Sequence, residues 1–151
     1  MKLSHFIFIL GIFVFLLGCK AKMDVEMEKS NPLEGTTWEK VSGEYILGNN
    51  KLIKSVKSKY YRAMAIYGKT HCTYVMQDTS RKESNFSAGT YTIKGDSITS
   101  TIEMVPYYGD IGKELSFKFY IEGDKMVVMG SDMRLQGYDW KTYHEEWKKI
   151  D

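Results

Sequence analysis

The residues able to do chemistry are few and widely spaced. The three histidines are His5, His71 and His144. Strand alternation would put His144 and Glu146 on one face, a pair of metal-ligand types. Two ligands do not make a metal site, so the pair reads as a solvated face and no metal is expected. His71 stands beside a tight turn and reads as exposed. Cys72 is a lone thiol and reads as a small core residue. Gly-x-Ser-x-Gly, His-Glu-x-x-His, P-loop and Cys-x-x-Cys signatures do not occur. The reading is therefore non-enzymatic, with no cofactor. The most suggestive polar groups are Arg62 and the tyrosines. A buried arginine needs a counter-charge, which a ligand carboxylate or Glu145 would supply.

The elements that must position these groups are strands. Leu115, Phe117, Phe119 and Ile121 alternate with polar neighbours, and so do Ile98, Ser100, Ile102 and Met104. Eight strands are predicted, at about 36–43, 60–67, 71–77, 86–94, 97–105, 114–122, 125–131 and 141–150, with a short helical piece near 50–58. Gly95-Asp96 and Gly123-Asp124 read as two-residue hairpin loops, which need positive φ. They pair Ile93 with Ile98, Tyr91 with Ser100, Ile121 with Met126 and Phe119 with Val128. The turn register and the apolar alternation agree, which is strong evidence for the hairpins. Gly68-Lys69-Thr70 reads as a third tight connection, of three residues, aligning Met64, Ile66, Cys72 and Tyr74.

Tight and long connections then fall at opposite ends of a meander, and eight such strands hide their edges by closing into a barrel. An eight-stranded barrel holds its own side chains or one small ligand. The predicted shape is a cup with Trp38 and Trp147 near its closed floor. The predicted lumen carries Arg62, Met64, Tyr74, Tyr91, Met104, Phe117, Phe119 and Tyr143, with space inside at Gly89 and Gly130. Tyr107, Tyr108, Tyr138 and Trp140 form a predicted aromatic rim, with Tyr45, Ile46 and Leu47 in a loop beside them.

The N-terminus is read apart from this fold. Lys2 is followed by an apolar run, Phe6–Leu17, too short to span a bilayer, which needs about 20 residues. Leu16-Leu17-Gly18-Cys19 resembles the bacterial lipobox, which implies cleavage before Cys19 and lipid attachment to its thiol. The expected organisation is a lipoprotein signal peptide (1–18), a lipidated tether (19–31) and a β-barrel domain (32–151). The expected location is the bacterial cell envelope, anchored to a membrane and facing the periplasm. A net charge of +2 with no basic stripe argues against nucleic acid.

"NPLEGTTWEKVSGEY", "YGKTHCTYVM", "GTYTIKGDSITSTIE", "IGKELSFKFYIEGDKM" and "HEEWKKID" resemble, in this order, bacterial lipocalin-like domain proteins. The resemblance implies an all-β, eight-stranded antiparallel up-and-down barrel. It also implies a basic residue on the last strand, Lys148 or Lys149, packing across Trp38. The function expected by analogy is binding of a small apolar or amphipathic ligand in the barrel. The alternative is an interaction module that holds another envelope protein by its rim, with the barrel filled.

Overall fold

A computed structural model describes residues 30–106, 108–135 and 138–151. The leader, Cys19, the tether as far as Lys29, and Tyr107 lie outside the described residues. Asn31–Asp151 form one compact unit. Its strands are β1 (Thr36–Leu47), β2 (Leu52–Val56), β3 (Tyr61–Tyr67), β4 (His71–Asp78), β5 (Glu83–Lys94), β6 (Ser97–Met104), β7 (Glu114–Glu122), β8 (Lys125–Leu135) and β9 (Tyr138–Lys149). A single 3-10 turn, Tyr108–Asp110, lies between β6 and β7.

All neighbours pair antiparallel in chain order from β3 to β9, and β1 joins both β3 and β9, so the sheet closes on itself. β1 is long enough to need two partners on its other side. Thr36–Glu39 pair with β3, while Ser42–Ile46 pair with β2. β2 and β3 thus share one position in the wall, broken at 57–60, and the barrel has eight positions. The segment expected to be helical near 50–58 is therefore strand. Its apolar residues suit either period, and pairing the backbone of Ser42–Ile46, otherwise an open edge, decides the outcome. A four-residue connection, 48–51, joins β1 to β2 where a long loop was expected.

The two glycine hairpins have the predicted registers, Lys94 with Ser97 and Glu122 with Lys125. Gly95 has φ 64° and Gly123 φ 62°. Asp96 and Asp124 are not left-handed, which is the type II′ pattern that suits strand twist. The third connection differs from the expectation. Tyr67 pairs with Cys72, and Gly68 N donates to His71 O at 2.8 Å. One more residue sits in the turn than predicted, so β3 is rotated by one position relative to β4. A one-residue shift moves every side chain of a strand to the other face. Ala63, Ala65 and Tyr67 point inward, and Arg62, Met64 and Ile66 point outward.

The three tight turns close one end, and the chain entering from Asn31 seals it. Asn31 Nδ2 donates to the Tyr91 hydroxyl at 2.6 Å, and that hydroxyl donates to Gly68 O at 2.7 Å. Leu33, Trp38, Ile98, Met126 and Phe119 are buried together there. Trp38 Nε1 donates to Thr36 Oγ1 at 2.8 Å, so the indole is buried without an orphaned donor. Lys149 is the register partner of Trp38, and Lys148 is that of Glu39. At the other end β8 reaches Leu135 and β9 starts at Tyr138, which leaves a much shorter connection than expected. The Asp78–Glu83 connection is short as well. Only 105–113 is long, and it packs on itself around Val105 and a buried Asp110 paired with Lys113.

Candidate functional site

Above this floor the barrel is open. A cavity of about 520 Å³ runs from Trp147 upward, past the break between β2 and β3 and the tip of β4–β5. That is within the range of small-molecule sites, about 300–1,000 Å³. Aromatic side chains are prominent in its wall, among them Tyr45, Tyr67, Tyr74, Phe117, Tyr143 and Trp147.

The polar centre of the cavity depends on an irregularity in the seam. Lys40 pairs with Trp147, but Ser42 pairs with Glu146, so Val41 is an extra residue in β1. Such a bulge re-aims the side chains beyond it. Trp38 and Lys40 point inward before it, and Gly43 and Tyr45 point inward after it. Glu145 stands opposite Gly43 in register, where a Cβ would collide with the Tyr45 hydroxyl. The empty place lets three groups converge. Lys40 Nζ donates to the Tyr45 hydroxyl at 2.6 Å and to Glu145 Oε1 at 3.2 Å. The Tyr45 hydroxyl donates to Glu145 Oε1 at 2.6 Å, and Trp147 Nε1 donates to Oε2 at 3.1 Å. The ammonium is also enclosed by the rings of Tyr45, Tyr61, Tyr74 and Trp147, 5.3–5.7 Å from their centroids.

The charge states follow from these contacts. Burial, the largest single influence, would push Lys40 toward the neutral amine, but the Glu145 carboxylate together with Tyr74 and Tyr61 more than offsets it and the net shift is upward. Burial, reinforced by Glu145, raises Tyr45 and Tyr143. Burial is also the main cause that raises Tyr74 and Tyr67. At neutral pH the cavity therefore holds a charged lysine and un-ionised phenols.

The predicted site residues divide among several places. Tyr74, Phe117 and Tyr143 line the cavity. Tyr91 and Phe119 are inward but belong to the packed floor. Arg62 is on the outer wall, 61% exposed, and pairs with Glu39 at 2.9 Å, a carboxylate also bonded by Lys57 at 2.7 Å. Those hydrogen bonds, that of Lys57 foremost, keep Glu39 below the usual carboxylate range against its burial. Met64 is outside as well, in register with Val75, which is in register with Phe86. Met104 is 60% exposed because a second bulge, at Glu103, intervenes between Ile102 and Met104.

The two glycines expected to leave space do not. A Cβ on Gly89 would strike the Thr101 carbonyl, so this glycine permits a close backbone approach. The Tyr143 ring already covers Gly130, its register partner. Of the predicted rim, Trp140 lines the cavity and packs on Tyr45 with ring centroids 4.7 Å apart. Tyr45, Ile46 and Leu47 belong to β1 and not to a loop. Tyr108 and Tyr138 are placed by their backbone at the open end. Cys72 is in the cavity wall, 3.6 Å from Ser100 Oγ, and burial raises its thiol pKa. His144 and Glu146 share the outer face of β9.

Lys40 is the cavity residue that the sequence reading missed, and Glu145 pairs with it and not with Arg62. The signal was present, since Lys40 is two residues beyond Trp38 and shares its face.

No family model and no curated protein matches this chain. Among solved structures it is similar to an uncharacterized protein from Bacteroides eggerthii DSM 20697. That match has 16% identity and a TM-score of 0.48, and covers 78% of this chain and 99% of the other. It is also similar to a lipocalin-like protein from Bacteroides uniformis ATCC 8492. The values there are 14% and 0.47, covering 78% of this chain and 98% of the other. Eight antiparallel positions in chain order, closed between first and last strands and stopped at one end, make the description on structural grounds. The fold is lipocalin-like.

The buried cluster is coupled, and that gives a quantitative expectation. Removing one member of a buried ion pair strands the other charge and costs about 3 kcal/mol or more. Lys40→Met should cost about that much in urea unfolding. Lys40→Met combined with Glu145→Gln should cost clearly less than the two single losses added, because neither charge is left alone. Additive losses would show that the pair is not coupled.

Proposed function

We propose that this protein binds a small, largely apolar molecule inside its barrel and performs no chemistry on it. One observation carries this reading: a cavity of about 520 Å³ lies inside a closed barrel, and nine aromatic side chains are among those that line it. A filled interior, as a purely rim-based interaction module would have, fits this space poorly. Trp140 faces into the cavity and is unavailable as an outward rim contact. We further propose that the barrel is tethered through Cys19 to a membrane of the bacterial envelope, on the periplasmic side. Leu16-Leu17-Gly18-Cys19 at the end of the apolar leader supports this part of the reading.

N-phenyl-1-naphthylamine, an uncharged fluorophore that brightens in apolar surroundings, tests the cavity. It should bind saturably, one molecule per barrel. Ser87 lines the cavity opposite Tyr74, so Ser87→Trp should abolish the signal while the far-ultraviolet circular dichroism stays that of the wild type. A wild type that never brightens the probe would refute the binding reading, as would a Ser87→Trp variant that binds it unchanged.

The anchor has its own test. Cys19→Ser should shift the protein from the membrane fraction to the soluble fraction. Retention on membranes after a carbonate wash would rule out the lipid anchor.

A further inference from the structure

The charged cluster at the base of the cavity restricts the chemistry of the ligand, given that the cavity is a binding site. Lys40, the cation nearest the floor, is closed to a ligand. Its side chain is 3% exposed, its ammonium is bonded to Tyr45 and Glu145, and aromatic rings surround it. Glu145 is more open, at 14%. A carboxylate has about four lone-pair positions. Oε1 uses two, for Tyr45 and Lys40, while among the described residues Oε2 accepts only the Trp147 indole N–H. What the floor offers is therefore an acceptor.

The charges around the cavity balance, with Lys40, Lys54 and Arg81 against Asp78, Glu83 and Glu145. A ligand carboxylate at the floor would meet Glu145 with no accessible cation, and burying an unpaired charge is costly. A ligand ammonium would lie near Lys40, which already neutralises Glu145.

We infer that the ligand is an uncharged aromatic or alicyclic molecule carrying a hydroxyl or N–H group, which donates to Glu145 Oε2 while its rings pack among Tyr67, Tyr74, Phe117 and Tyr143. This argues against a fatty acid seated with its carboxylate at the floor, the pose an inward Arg62 would have favoured. The specificity comes from a site that accepts a hydrogen bond and repels a second negative charge.

Three probes with one ring system separate the possibilities: 2-naphthol, 2-methoxynaphthalene and 2-naphthoate, titrated into the wild-type barrel by calorimetry at neutral pH. A hydrogen bond to a charged acceptor should make 2-naphthol about tenfold tighter than the methyl ether. The carboxylate should be the weakest of the three. Glu145→Gln leaves Lys40 uncompensated, so it should weaken 2-naphthol and strengthen 2-naphthoate. Should that variant not fold, the wild-type ranking alone decides.

Equal binding of 2-naphthol and its methyl ether would overturn the donor assignment. Tighter binding of 2-naphthoate would overturn the charge argument. Both outcomes leave the cavity reading intact. If none of the three binds while N-phenyl-1-naphthylamine does, this inference alone falls. If that probe also fails, the binding function falls with it.

Discussion

One extra residue in the seam between β1 and β9, Val41, sets the contents of the barrel. Without it, strict alternation would carry Trp38, Lys40, Ser42 and Glu44 inward together and leave Tyr45 on the outer face. The bulge keeps the first two inside, turns Ser42 and Glu44 out, and brings Tyr45 into the lumen beside Lys40. The same seam closes the sheet. A barrel has no edge only if its first and last strands pair along their length, and here they pair from Trp38–Lys149 to Leu47–Trp140. Closure and placement of the charged cluster are thus one structural event.

A cation in an aromatic chamber needs a physical explanation, because transfer of an ammonium out of water costs several kcal/mol. Glu145 supplies the opposite charge, Tyr45 bridges the pair, and four rings present their faces. The Trp147 indole donates to the carboxylate from the other side. The cluster is satisfied from within, so the barrel does not need a charged ligand to be stable. A cup that neutralises its own floor can accept a neutral guest, and the aromatic wall supplies the apolar contact area.

Much of the fold was legible in the sequence. Two glycine hairpins gave registers that alternation confirmed independently, and eight wall positions followed from the count of alternating runs. The errors were local, but they propagated. One miscounted residue in the Gly68–His71 turn reversed the faces of β3 and sent Arg62 and Met64 outside. The bulge at Glu103 did the same for Met104. Bulges and turn lengths leave little compositional trace, and a period-two pattern has no tolerance for an extra residue. The cavity residues Tyr74, Phe117 and Tyr143 were placed inside from the hairpin registers and alternation. Lys40 was missed for another reason. A lysine in a half-buried strand reads as solvent-facing, and only the seam shows that its neighbours can neutralise it.

The account rests on the barrel carrying a guest in its own environment. Native mass spectrometry of the protein purified gently from its own cells measures this directly. A discrete added mass is predicted, released on denaturation as an uncharged molecule with a hydroxyl or N–H group, and absent from Ser87→Trp. Only bare protein, or an adduct that survives equally in Ser87→Trp, would contradict the account.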